Sequence, residues 1–382
     1  MRDNSESFET KTVEATTIDI ELLKREIGQL FPFYDLKFDV NTAAFFCRID
    51  EETLEEKFDS LRKSLKEKGY IPMLRYDKGE HIIYTRKKLQ KKEKSIWVNV
   101  ILLIATIITT IITGSLIYLN QPDLWSAPDI IEVINIENLF FGTILFALPL
   151  LSILFIHEMG HYFISKKHGI STSLPFFLPI PPIIPGFNIG TFGAIISSRE
   201  PMPDKKALLD IGIAGPLAGF LVALPITIIG IATSEIIFTQ EISSGETVFG
   251  TSFLFLLLGY VIHNIPFGTE FAMNMNPIAF AGWVGLLITS INLFPAGQLD
   301  GGHIFRAFLG EKQKYASWIA VIIMIFTGWI FFAFIIIFMI GIVHPPPLND
   351  STKIDVRRQL LFFVAVAILI LCYIPYPIYI AS

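Results

Sequence analysis

Residues 139–161 read LFFGTILFALPLLSILFIHEMGH. Eighteen residues without a charge, Leu139 to Ile156, run directly into His157-Glu158-Met159-Gly160-His161. A bilayer core is crossed by about 20 apolar residues in a helix, so this stretch reads as a membrane helix that carries ionisable groups near one end. Histidines four residues apart stack on one helix face. Both imidazoles can then reach one metal ion, while the glutamate between them stands beside it as a base for a bound water. Charge is costly at membrane depth and therefore marks function there. A helix end that merely reaches the interface with polar residues is the weaker reading.

Composition agrees with a membrane chain. Of 382 residues, 52% are hydrophobic and only 17% charged, with a mean hydropathy of +0.56, above the usual apolar share of soluble domains. The net charge of −5 offers no basic field for nucleic acid. Cys47 and Cys372 are too few and too differently placed for a disulfide framework, and both read as reduced. The opening MRDNSESFETKTVEATT lacks a basic segment followed by an apolar one, so insertion is expected to rely on internal spans.

Charge is concentrated at one end. Residues 1–17 read as a disordered tail. Residues 18–86 alternate a helical pattern (Leu22, Leu23, Ile27, Leu30), strand-like DLKFDV and TAAFFCRI, a second helix with Leu54, Phe58, Leu61 and Leu65 on one face, and the strands YIPMLRY and HIIYTR. This is a small α+β domain near the lower size limit for a core of its own. A basic linker, 87–95, follows within RKKLQKKEK and directly precedes an uncharged run. By the positive-inside rule it places the domain in the cytoplasm.

The remainder, 96–382, reads as an α-helical polytopic membrane domain of about six transmembrane helices: 96–119, 139–165, 207–233, 277–296, 316–343 and 359–380. Loop charges support the alternation through the fourth span. The loop at 120–138 carries Asp123, Asp129, Glu132 and Glu137 and no basic residue, whereas Lys166, Lys167, Lys205 and Lys206 fall on the other side. Lys353, Arg357 and Arg358 do not fit, because six crossings put them outside. Residues 252–263 are too short to span. Residues 174–198, LPFFLPIPPIIPGFNIGTFGAIISS, hold five prolines and cannot be a helix. Non-helical backbone survives at membrane depth only where protein shields it or it lines a wet cavity, so a re-entrant hairpin beside a site is expected.

A catalytic zinc takes three protein ligands and keeps an open position. Asn292-Leu293-Phe294-Pro295-Ala296-Gly297-Gln298-Leu299-Asp300-Gly301-Gly302-His303 supplies an acid at the side reached by the two histidines. On these residues alone Asp300 is equally a helix cap, and His303 is its rival as a ligand. Asn292 is equally plausible as packing glue between helices.

The sequence resembles the site-2 protease family of intramembrane zinc metalloproteases. The resemblance rests on HEMGH and on the N-x-x-P-x-x-x-L-D-G-G pattern, and it covers roughly residues 96–300. Ala296-Gly297-Gln298 stands where many members carry a further proline. The resemblance implies one Zn²⁺ per chain held by His157, His161 and Asp300, with Glu158 as catalytic acid and base. It implies that Asn292 positions the substrate or oxyanion, and that the hairpin with Gly190 and Gly193 binds an unwound substrate by strand addition. Substrates would be single-span membrane proteins within the lipid bilayer. Gly212-Ile213-Ala214-Gly215-Pro216-Leu217-Ala218-Gly219 resembles the family's Gly-rich segment, and small residues at that spacing mean close helix packing. The compact design resembles prokaryotic members. Two other classes stay open: an ion or metal transporter, and a catalytically silent scaffold on the same fold.

Overall fold

The long apolar runs become helices whose first turns are closed by small polar residues. The Ser95 hydroxyl accepts from the Trp97 amide, and the Asn135 side chain accepts from Glu137. The Asp204, Asn276 and Asp355 side chains do the same for Ala207, Ala279 and Arg358. Each such cap stabilises its helix by about 1 kcal/mol and fixes where the helix starts. The computed structural model describes residues 18–88, 95–119, 133–181, 189–198, 200–242, 244–264 and 270–381. The tail expected at 1–17 and most of the basic linker lie outside the described residues.

The chain divides into two units, Met1–Lys92 with Pro347–Thr352, and Glu93–Pro346 with Lys353–Ser382. In the first, α1 (Ile20–Leu30) and α2 (Leu54–Glu67) cover one face of an antiparallel sheet of β1 (Phe33–Phe38), β2 (Thr42–Cys47), β3 (Tyr70–Asp77) and β4 (Glu80–Lys87) in the order β1-β2-β4-β3. Alternate strand residues Ala43, Phe45 and Cys47 meet Leu23, Ile27, Phe58, Leu61 and Leu65 in the core. Residues 347–352 complete this unit. The Leu74 amide donates to the Leu348 carbonyl at 2.8 Å, Arg75 Nη1 donates to the Pro347 and Leu348 carbonyls, and the Leu348 side chain enters the core.

In the second unit, three helices among the described residues are long and apolar enough to cross a membrane. They are α3 (Ile96–Tyr118), α4 (Ile136–Lys167) and α5 (Lys205–Thr233). Within α4 a π-helical turn, Thr143–Ala147, precedes Pro149 and accommodates a residue that has no amide to donate. The expected re-entrant segment contains β5 (Phe176–Pro179) paired antiparallel with β6 (Thr191–Ile195). Asn99 of α3 holds this hairpin by donating to the Leu174 and Pro175 carbonyls, and Thr109 donates to the Gly190 carbonyl at 2.7 Å. The chain then runs through β7 (Glu235–Phe238), β8 (Thr247–Phe249), the short helix α6 (Phe253–His263), β9 (Phe271–Asn274), α7 (Pro277–Leu293) and α8 (Asp300–Leu309).

Three of the expected spans differ. The fourth, 277–296, is the 17-residue α7, which stops at Leu293 ahead of Pro295 and is shorter than the three helices above. The stretch 316–343 is not one crossing but a helical hairpin of α9 (Gln313–Phe326) and α10 (Ile330–Ile340). The break falls at Gly328, whose φ of +81° is open to glycine at little cost, and the Tyr376 amide donates to the Thr327 carbonyl there. Both ends of the hairpin meet at Gln313, which donates to the Pro295 and Ile342 carbonyls and accepts from the His344 amide. The chain therefore returns to the end it left. The misfit of Lys353, Arg357 and Arg358 disappears, because these residues share the end that carries Arg306, Lys312 and Lys314. The last helix, α11 (Val356–Cys372), ends eight residues before the expected 380. Pro375 and Pro377 cannot continue it, and β10 (Ile378–Ile380) instead pairs with β8. Cys47 and Cys372 are free thiols, and both are buried.

Candidate metal centre

Helical spacing brings His157 and His161 to the same face of α4, and the start of α8 brings Asp300 against them. His161 Nε2 lies 3.2 Å from His157 Nε2 and 3.2 Å from Asp300 Oδ2, and the third side, His157 Nε2 to Asp300 Oδ2, is 3.3 Å. These three are the one group of potential metal ligands among the described residues that converges in this way. A tetrahedral zinc with ligand distances of about 2.0–2.1 Å has edges of about 3.3 Å, so the triangle matches one face of that tetrahedron. Two imidazoles and a carboxylate, with the fourth position open, are a catalytic rather than a structural donor set.

The ring orientation of His161 is fixed from behind. Its Nδ1 lies 2.8 Å from the Ile211 carbonyl, which can only accept, so Nδ1 carries the proton and Nε2 presents a lone pair to the centre. Close packing of α5 on α4 makes this contact possible. A Cβ at Gly160 would meet the Ala214 carbonyl oxygen at 2.5 Å, and one at Gly215 would meet His161 Nε2 at 2.1 Å. The Gly-rich segment is thus the seat of the two histidines, which is more specific than the packing role read from its spacing. The Ile211 carbonyl and the Gly215 seat were not foreseen. A glycine at the level of a histidine pair, on the next helix, is the signal that could have found the second.

Glu158 is buried, and the Ile196 amide faces its carboxylate. Ile196 directly follows β6. The amide and carbonyl of Ser197 face Ser173, on the β5 side, so the Ile196 amide points to the opposite edge by strand alternation. The outer edge of the hairpin therefore ends at the glutamate. Gly190 and Gly193 lie in this hairpin, both with positive φ. A side chain at Gly190 would press on the Thr110 backbone, whereas Gly193 has open space around it. Asn292 Nδ2 stands 3.4 Å from His157 Nε2, at the rim of the triangle. His303 does not join it. Its ring packs edge-on against His344 with centroids 4.4 Å apart, and its Nδ1 is buried without a hydrogen-bond partner.

A two-histidine, one-carboxylate centre seated in an apolar helical bundle is the class of site that fold and geometry define. The sequence profile described as Peptidase family M50 matches residues 145–335, half of the chain. The chain belongs to peptidase family M50, the site-2 protease family. Among its relatives, the Arabidopsis thaliana protein named "Probable zinc metalloprotease EGY2, chloroplastic" is 32% identical over 270 residues, covering 67% of this chain and 45% of its own length. The Arabidopsis thaliana "Probable zinc metalloprotease EGY1, chloroplastic" is 28% identical over 274 residues, covering 68% and 47%. The Oryza sativa subsp. indica "Probable zinc metalloprotease EGY2, chloroplastic" is 29% identical over 292 residues, covering 72% and 49%. This chain spans about half the length of the curated relatives it matches.

Proposed function

We propose that this chain is a zinc-dependent intramembrane endopeptidase that hydrolyses peptide bonds in or near the transmembrane helices of single-span membrane proteins. The observation that carries the proposal is the placement of Glu158 between two histidines that close a ligand triangle with Asp300, on an apolar helix of 32 residues. His157, His161 and Asp300 would hold the ion. Zinc, when bound, supplies Lewis acidity and a water of lowered pKa.

The residues of the chain do the rest. Glu158 takes the proton of the attacking water and returns it to the leaving amine, a two-way transfer for which one carboxylate suffices. That carboxylate lies beside the hairpin edge, facing the Ile196 amide. A substrate helix must unwind before its carbonyl is open to attack, and its freed amides and carbonyls then need partners in a medium without water. Strand addition along the outer edge of β6 supplies such partners and runs the unwound segment past Glu158. Asn292 at the rim is positioned to orient the scissile carbonyl. The basic run at 86–94 favours a cytoplasmic location for the N-terminal unit, with catalytic water entering from that side.

The test compares wild type with Glu158→Gln in detergent, measuring zinc content and cleavage of a single-span substrate. One zinc per chain in both, with cleavage abolished in the variant, is the expected result. Equal cleavage by the variant would refute the assigned role of Glu158. A protein that takes no zinc but conducts ions when reconstituted would replace the protease reading with the transporter one.

A further inference from the structure

The acceptor for His161 is the carbonyl of Ile211, and the residue beside it, Asp210, has a carboxylate engaged by side chains from two other helices. Arg358 Nε donates to Asp210 Oδ1 at 2.8 Å and Arg358 Nη2 to Oδ2 at 2.6 Å, a two-pronged contact in which both planar groups are aligned. His168 Nε2 lies 3.0 Å from the same Oδ2. The three side chains come from three helices. His168 closes the C-terminal end of α4, Asp210 stands in the second turn of α5, and Arg358 stands in the first turn of α11. Arg358 is itself steadied by Asp355, whose carboxylate caps α11 and also meets Arg358 Nη1. The side chains of Asp210 and Arg358 are about one-fifth exposed.

We propose that Arg358 and Asp210 form a positioning clamp for the metal centre, fixing the Ile211 carbonyl and, through it, the imidazole of His161. The proposal rests on the reading of His157, His161 and Asp300 as metal ligands. Its physical content lies in the fork. A point charge would hold Asp210 near α11 without fixing its direction, whereas two parallel bonds to a guanidinium fix the carboxylate in distance and angle. One peptide unit separates that carboxylate from the carbonyl that sets the His161 tautomer. Ile211 is buried against Ile170 and Ala207, so the peptide unit has little freedom of its own. Partners that hold a ligating histidine from behind are worth about 10–100-fold in metal affinity when removed. Arg358 lies beyond residue 335, where the family match ends, so the clamp recruits the last helix to a centre built by the others.

The full chain, purified in detergent, is compared as wild type, Arg358→Ala, Arg358→Lys, Asp210→Asn and, as a neighbouring control, Arg357→Ala. Three quantities are read without substrate: zinc affinity by chelator competition, the visible absorption of the cobalt(II)-loaded protein, and the melting temperature of the metal-free protein. Arg358→Ala and Asp210→Asn leave the Ile211 carbonyl in place but unsteadied, so they are expected to bind zinc up to about 10-fold more weakly, the low end of the loss for removing such a partner, and to shift the cobalt bands, which report ligand geometry. Arg358→Lys keeps the charge and loses the fork, so it is expected to shift the bands as well, with a smaller loss of affinity. Arg357→Ala is expected to match wild type. If Arg358→Ala does not fold, Arg358→Lys and Asp210→Asn decide. Wild-type bands and affinity in Arg358→Lys would overturn the proposal, because charge alone would then suffice. A lowered melting temperature with unchanged bands and affinity would overturn it too, reducing the pair to a staple between helices. A wild-type protein that takes up neither zinc nor cobalt would fail the metal reading itself, a result distinct from the other two.

Discussion

Replacing Gly215 with alanine separates metal binding from folding. The added Cβ would stand 2.1 Å from His161 Nε2, 2.4 Å from Cδ2 and 2.6 Å from Cε1. Ordinary contact begins near 3.4 Å, so the ring must retreat by about 1.3 Å. Metal–ligand distances tolerate about 0.2 Å, so His161 is lost as a ligand. The fold bears little of this, because the obstructed group is the far end of a side chain, and alanine is favoured over glycine inside a helix by about 1 kcal/mol. Gly215→Ala is therefore expected to melt at or above the temperature of the metal-free wild type while binding zinc more than about 100-fold more weakly, beyond the loss that follows removal of an outer partner. Gly160→Ala is the contrast. Its Cβ would meet the Ala214 carbonyl oxygen at 2.5 Å, backbone that cannot swing aside, so stability and metal should fall together. Chelator competition and thermal unfolding of the metal-free proteins measure both quantities. Zinc affinity of Gly215→Ala within threefold of wild type would refute the seat assigned to this glycine.

The hairpin glycines should also part ways. Gly190→Ala, pressed on Thr110 at 2.6 Å, is expected to displace the hairpin and slow cleavage severely at unchanged zinc content, whereas Gly193→Ala, strained by φ of +94° but unobstructed, should slow it less. Equal turnover by both variants and wild type would remove the hairpin from substrate binding. Asn99→Ala, which loses two bonds to the hairpin, should raise KM without releasing metal, as substrate titrations at fixed zinc would show. In the N-terminal unit, hydrogen bonds from Lys68 and then Ser64 hold the Glu26 carboxyl below its ordinary range. A depressed value gives stability that is present above the unfolded pKa of about 4.5 and lost as pH falls through the folded one. Hydrogen exchange of the β2 and β4 amides should therefore be faster in Glu26→Gln than in wild type at pH 7. That difference should close at pH values below the folded pKa of Glu26, and a difference independent of pH would exclude the charge as its source.

The centre was legible because its chemistry is written in local spacing. Two histidines at i and i+4, with a glutamate between them, declare a helix face without any knowledge of the fold, whereas Asp300 was singled out only by the resemblance to the site-2 protease family. What lay outside the reach of spacing is what depends on backbone or on distant partners. The Ile211 carbonyl has no side-chain signature, and the contact between Asp210 and Arg358 joins residues 148 positions apart. The error at 316–343 has a plain cause. Hydropathy counts apolar residues and is blind to Gly328, which turns the chain inside an otherwise unbroken run. The misplaced Lys353, Arg357 and Arg358 were the signal that a crossing had been counted too many. His303 was the rival ligand, and only the fold separates the two: Asp300 closes the triangle with the histidines, while His303, three residues later, packs against His344.

The segment 347–352 closes the core of the N-terminal unit although about 250 residues of membrane chain separate it from Lys92. Ribosomes deliver a chain from its amino end at about 5–20 residues per second, so β3 must wait tens of seconds for the segment that pairs with Leu74. During that interval its outer edge and the place of Leu348 in the core stand open, and an open edge is a template for unwanted pairing. The unit can reach its final state only after the helices that precede residue 347 have been made. Completion of this unit therefore follows synthesis of the membrane helices before it, and its folded form certifies that the chain has been made at least as far as residue 352.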